Sequence, residues 1–273
     1  MPRPQSENVK GLELPRRPWG ARGLPPGLEA RVLNLDPETG AESVLIHVPK
    51  GWRWPADGFC AADQGFFVFE GAITVGAHRL ENGGFCFYPA GVLQGGWAAD
   101  ADTTVYAIYN RAPVFQAATA HATGAAVAKT VKARDTWAME WFDPLAASKP
   151  SMKFHPGIFV KELRVDPDTG TRTHLAGLMP GWFQEGVEVH PVREESLIIS
   201  GDVNIATVNG KPGYTLSVGG FYSRPAGIPH GPLSSKNGNV GIVHCEGLLG
   251  IDYHTDPKAE AMIMAHLKGY PWR

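Results

Sequence analysis

The 273-residue chain holds only three cysteines, Cys60, Cys86 and Cys245. They are odd in number and form no C-x-x-C pair, which argues against a disulfide framework and fits a reducing cytosol. Apolar runs are short. None reaches the length of a membrane span, and the opening stretch MPRPQSENVKGLELPRRPWG contains no apolar secretory core. A cytoplasmic protein is expected. Charge of one sign is also missing: 25 Lys and Arg stand against 27 Asp and Glu, a formal net charge of −2, with no long run of either sign. Nucleic acid and anionic membranes are therefore not expected partners. Helix signals are scarce as well. One segment, Asp256–Gly269 (DPKAEAMIMAHLKG), reads as a helix, with Asp256 as N-cap, Pro257 at the first helical position and Gly269 near its end.

Turn residues, by contrast, are plentiful. The chain has 33 Gly and 23 Pro at 43% hydrophobic and 19% charged content, the make-up of a globular protein of many short elements. Those elements come in two copies. LNLDPETG (Leu33–Gly40) matches LRVDPDTG (Leu163–Gly170), and Gly51-Trp52 and Gly71 recur at the same spacing as Gly181-Trp182 and Gly201. After a short insertion around NGKPGYT, Gly84, Phe85 and Pro89-Ala90-Gly91 recur as Gly220, Phe221 and Pro225-Ala226-Gly227. An internal duplication follows. The expected layout is an N-terminal arm (1–19), a first domain (20–115), an Ala-rich connector (116–149), a second domain (150–250) and a C-terminal helix and tail (251–273). Each copy reads as strands: Asp-Pro and Gly frame hairpin turns, and β-branched and aromatic runs are broken by Gly. Two tandem antiparallel all-β barrels or jelly rolls are the natural packing.

The copies differ where chemistry is possible. In the second, GVEVHPVREE places Glu188 and His190 two apart, on one face of a strand, with Glu194 four residues on. His230 arrives from the loop RPAGIPHGP (Arg224–Pro232), at the end of a strand. Two imidazoles with one or two carboxylates suit a single divalent transition metal, Fe, Mn, Ni or Zn, in the absence of a thiolate. Glu188 is either a ligand or a base beside the metal. Arg224, like Arg193, flanks these positions, and a guanidinium at a metal mouth can hold a substrate carboxylate or enolate. His174 and His244 lie on expected strands and are candidates to line the same cavity. Trp182, Phe183, Phe221 and Tyr222 are candidates for its apolar wall. In the first copy the equivalent positions are Gly58, Cys60, Gln64 and Gln94, which offer no comparable ligand set. Cys60 reads as a small buried hydrophobe, with a reactive thiol as the alternative.

With these residues the chain resembles the cupins, whose motifs are G-x5-H-x-H-x3-4-E-x6-G and G-x5-P-x-G-x2-H. His190, Glu194 and Gly201 match the first motif, and Gly219, Pro225, Gly227 and His230 match the second. Glu188 stands where the first motif has a histidine. The resemblance spans both repeats and implies a bicupin of two double-stranded β-helix jelly rolls, similar to the ChrR-like and acetylacetone-cleaving cupins. It implies a dioxygenase-like enzyme whose single metal, on Glu188, His190, Glu194 and His230, chelates a small enolisable substrate, a dicarbonyl or a phenol. Alternatives are a non-oxidative hydrolase or isomerase, since ureidoglycine aminohydrolase is a bicupin with a comparable Glu-x-His, and a non-catalytic metal or ligand sensor. A monomer or a homodimer is expected.

Overall fold

The duplicated DPETG and DPDTG segments fold alike. Asp36 accepts hydrogen bonds from the Glu38 backbone N–H (2.9 Å) and the Thr39 hydroxyl (2.7 Å), and Asp166 accepts one from the Asp168 N–H (2.9 Å). Both turns close on a glycine of positive φ, Gly40 (69°) and Gly170 (73°). Each joins two strands of a ladder, Glu29–Leu35 to Glu42–Val48 and Ile158–Val165 to Arg172–Leu178.

The computed structural model describes residues 3–117, 125–144 and 156–271. His121 and His155, which the sequence assigns to no motif, and part of the connector lie outside the described residues. The architecture is all-β, in jelly-roll barrels, with a short C-terminal helix. Contacts divide the chain into two units, Met1–Pro4 with Gly11–Met139 and Gln5–Lys10 with Glu140–Arg273. The expected N-terminal arm is thus shared out: strand Ser6–Lys10 pairs antiparallel with Gly220–Arg224 of the second unit. No helix of the described residues is long and apolar enough to cross a membrane.

In the first unit a 7-stranded sheet carries alternating apolar residues inward, among them Val44, Ile46, Phe66, Val68, Val105 and Ala107. Aromatic rings fill the remaining space. Trp97 lies edge-on to Phe66 (4.9 Å between centroids), Phe115 (5.1 Å) and Trp54 (5.9 Å).

In the second unit an 11-stranded sheet is bent by one long strand, Glu194–Val208. Its register slips between Ile198 and Ser200, and Gly201 takes a φ of 73°. A Cβ at Gly201 would lie 1.9 Å from the Gly238 carbonyl oxygen, so only glycine allows the bend. Before it, Glu194–Leu197 pairs with Gly220–Arg224; after it, the strand pairs with His230–Ser234. One chain segment thereby turns Glu194 and the His230 strand toward the same interior. The tail helix covers Ala259–His266, starting later than its sequence signals suggest. Asp256 receives the Lys258 N–H (2.8 Å) and forms the turn ahead of the helix, so Lys258, without a side-chain bond, is the N-cap.

Candidate metal centre

Glu188 and His190 leave the edge of strand Gly186–Val189, and Glu188 is paired across the ladder with His230. Oxygen and nitrogen atoms of Glu188, His190 and His230 all lie within 4.8 Å of one another, and all three residues are buried. His230 Nε2 is 3.1 Å and His190 Nε2 3.8 Å from the same Glu188 oxygen, and the imidazole centroids are 5.1 Å apart. The Nδ1 atoms are fixed on backbone carbonyls, His190 on Gly250 and His230 on Ile228, each at 3.0 Å. With Nδ1 donating, the Nε2 of a neutral ring turns its lone pair toward the cluster, where a cation can replace the proton. Neither Nε2 makes a hydrogen bond among the described residues, although carboxylate oxygens stand close: the contacts are near in distance and out of line. Two imidazole nitrogens without hydrogen-bond partners and a carboxylate, converging in a buried site, fit a divalent cation.

Glu194 adjoins this group rather than completing it. Its Oε2 is 3.2 Å from His190 Nε2, while Oε1 accepts the Tyr222 hydroxyl. Gln184 Nε2 donates to Glu188 Oε2 at 3.2 Å. Burial pushes the Glu188 carboxyl up, but the facing His190 and His230 outweigh it and hold the group well below the usual carboxylate range. Burial works against charge on His190 too, yet Glu194, Glu188 and the Gly250 carbonyl raise it to about 9.

The cluster lines a cavity of about 590 Å³ whose walls are mostly apolar, among them Phe142, Ile158, Trp182, Ile205, Leu233 and Ile251. Trp182 and Tyr222 line it as the sequence suggests; Phe183 and Phe221 do not. His174 lines it and His244 does not; His244 is instead bonded through Nδ1 to Thr173 Oγ1 (2.9 Å). Arg224 lines the cavity at 2% exposure. Its Nε and Nη2 are held by Glu7 (3.0 Å each) and Nη2 also by the Tyr214 hydroxyl, while the guanidinium carbon sits 3.8 Å above the Tyr222 ring. Only Nη1 has no hydrogen-bond partner among the described residues. Arg193 turns away, to the Ser223 hydroxyl (2.9 Å) and Glu246. Glu195 also faces away from the cavity and is buried rather than solvated.

The first unit preserves the frame without the donors. Gly58 bridges Gln94 where Glu188 pairs with His230. Gln64 Nε2 bonds Gln94 Oε1 (2.6 Å), and the Trp97 indole N–H bonds the same oxygen (3.2 Å). Cys60 is buried, with its thiol pushed up to about 11, chiefly by desolvation.

A family profile described as a domain of unknown function, DUF4437, matches residues 24–251. The chain belongs to the DUF4437 family. No curated protein matches it by sequence. Among solved structures it is similar to a protein of Nostoc punctiforme described as a candidate dioxygenase, with a TM-score of 0.79 at 20% identity over 94% of this chain and 88% of that one. It is also similar to oxalate decarboxylase from Bacillus subtilis, with a TM-score of 0.57 at 12% identity over 97% and 83%. Both are cupin-fold proteins, and this DUF4437 chain has the cupin fold.

Sequence reasoning missed part of the cavity of this DUF4437 protein. Leu249, Ile251 and Tyr253 come from the segment assigned to the domain end and tail, and Phe142 and Pro144 from the connector. A signal was present. Strand Asp252–Thr255 pairs Tyr253 with Glu188 as Ala117 pairs with Gly58, so the repeat extends past residue 250 at the spacing already set by its second half.

Proposed function

We propose that this DUF4437 protein is a metal-dependent enzyme of the cupin kind, dioxygenase-like, acting on a small enolisable dicarbonyl or phenolic substrate at one site in the second unit. The observation that carries the reading is the convergence of His190 Nε2, His230 Nε2 and Glu188, all buried, in the lining of a largely apolar cavity. Glu188, His190 and His230 would hold the ion, with Glu194 joining from the His190 side. When bound, a divalent ion supplies Lewis acidity and open coordination positions. Two carboxylates beside it cancel its charge, which favours an oxidisable Fe(II) or Mn(II) over a strong water activator.

The chain's own residues do the rest. Tyr222 orients Glu194 by donating to Oε1, leaving Oε2 toward His190. The apolar walls exclude water and strengthen every charge interaction at the cluster. Arg224, fixed by Glu7 and Tyr214 in the cavity wall, places a buried positive charge that would attract the oxyanion of an enolate or carboxylate. Likeness to oxalate decarboxylase brings a non-oxidative lyase or hydrolase to mind as the second reading. The ChrR-like sensor has no specific observation in its favour.

Metal analysis followed by oxygen-electrode assays of a β-diketone panel tests the proposal. About one ion per chain and oxygen consumed in step with diketone support it. Turnover that proceeds equally under anaerobic conditions overturns the dioxygenase reading in favour of the second.

A further inference from the structure

At the wall of the cavity away from the metal cluster stands a histidine that nothing yet described employs. His174 lies on strand Arg172–Leu178, is 6% exposed and lines the cavity. Its Nδ1 has no hydrogen-bond partner among the described residues. Nε2 makes no hydrogen bond there either and, unlike Nδ1, is not fully enclosed, so it is the ring atom that a polar group in the cavity can meet; an imidazole with both nitrogens unpaired costs about 1–3 kcal/mol for each buried polar atom.

Ladder register places it relative to the cluster. His174 is opposite Val243, Val243 opposite Ser196, and Ser196 opposite Tyr222. Residues directly opposite in a ladder share a face, so these four form one row across the cavity wall. Tyr222, at one end, bonds Glu194 beside the cluster; His174 is at the other end. Glu194 precedes Ser196 by two residues on the same face. Two strand spacings, about 10 Å, separate His174 from the Glu194 strand.

We propose that His174 is a substrate-anchoring residue that binds a hydroxyl group carried on the end of an apolar, ring-bearing substrate remote from the metal cluster. The proposal rests on the metal-centre reading for which end of the substrate chelates, and it narrows the substrate class from any enolisable compound to a hydroxyl-bearing one. A neutral partner is favoured over a carboxylate on two counts. Arg172, two residues before His174 on the same face, has its charge paired by Glu162 through Nη2, although its Nε is left without a hydrogen-bond partner among the described residues. Burial, with Arg172 and His244 nearby, lowers His174 to about 3, so the imidazole is uncharged near neutrality. Uncharged imidazole presents one donor and one acceptor, and a hydroxyl complements either tautomer. The cavity, at about 590 Å³, has room for a molecule well beyond a two-carbon diacid.

The test uses two probes that differ in one group, benzoylacetone and para-hydroxybenzoylacetone, titrated calorimetrically into full-length protein with and without Fe(II) under anaerobic conditions. Wild-type protein is expected to bind the hydroxylated probe about tenfold more tightly, the worth of one good buried hydrogen bond. In His174→Phe the ratio is expected to fall to within about twofold. His174→Leu serves as a second apolar variant where Phe overfills the wall, and a thermal melt of each verifies folding. A preference of less than about twofold in wild type, or one that survives both apolar variants, overturns the proposal. Failure of the metal reading shows separately: Fe(II) would then tighten neither probe, while the hydroxyl preference and its loss in the variants remain readable in metal-free protein. Failure of both probes to bind in either form overturns both.

Discussion

Glu188 and His230 face each other as a paired position of one antiparallel ladder, with His230 Nε2 3.1 Å from Glu188 Oε1. The same position in the first unit joins Gly58 to Gln94. A single structural pairing therefore carries two candidate ligands in one barrel and, in the other, a glycine and an amide that offer no comparable set. Glu188→Gln keeps the shape and the Gln184 contact but removes the anionic donor. Its affinity for Fe(II) or Mn(II), measured by chelator competition, is expected to fall by more than about 100-fold, beyond what outer partners of a ligand contribute. An unchanged affinity removes Glu188 from the ligand set.

The first unit should resist conversion. A Cβ at Gly58 would lie 2.2 Å from the Gln116 carbonyl oxygen and 2.9 Å from the Trp54 ring. Gly58→Glu is expected to destabilise the protein by about 1–3 kcal/mol in urea unfolding. Combined with Cys60→His and Gln94→His it should bind no second ion, because indole and phenyl rings fill the space the ion would need.

Arg224 depends on the N-terminal strand. Glu7 holds Nε and Nη2 of a guanidinium that is otherwise buried among Tyr222 and Tyr214. Glu7→Ala strands that charge and is expected to cost about 3 kcal/mol, the low end for breaking a buried pair since Glu7 is itself partly exposed. Chemical denaturation of Glu7→Ala and Glu7→Gln checks it; the amide, which still accepts, should lose less.

His174 also predicts a pH response. Its imidazole is lowered to about 3 in the folded state from an ordinary 6.5. The unfolded chain therefore binds a proton that the folded chain refuses between these values. Stability is expected to be undiminished by this group above pH 6.5 and to decline as pH falls below it. His174→Leu should flatten that slope between pH 6.5 and 5 in urea titrations. Equal slopes for the two proteins would show that His174 protonates freely when folded.

Much of this was legible in the residues. The duplicated DPxTG turns, the strand runs and the two PAG loops point to tandem β units, and the Glu-x-His step with the late His230 marks the cluster. Ladder alternation, which needs only strand assignment, brought Glu188 and His190 to one interior. Harder to read were features set by long-range pairing. Glu194 has the spacing of a ligand, yet Tyr222, from another strand, holds one of its oxygens. Arg224 sits beside the cluster, and only the fold shows that residue 7 reaches across 217 positions of chain to engage it. Tyr253 and Ile251 enter the cavity from a segment that looks like tail because its strand is short and edge-placed, with little apolar alternation.

Anomalous diffraction from crystals grown with Fe(II) or Mn(II) tests the central claim most directly. One peak per chain is expected, within coordination distance of Glu188, His190 and His230, and absent from His230→Ala crystals grown alike. A peak among Cys60, Gln64 and Gln94, or none between the two histidines, would contradict the account.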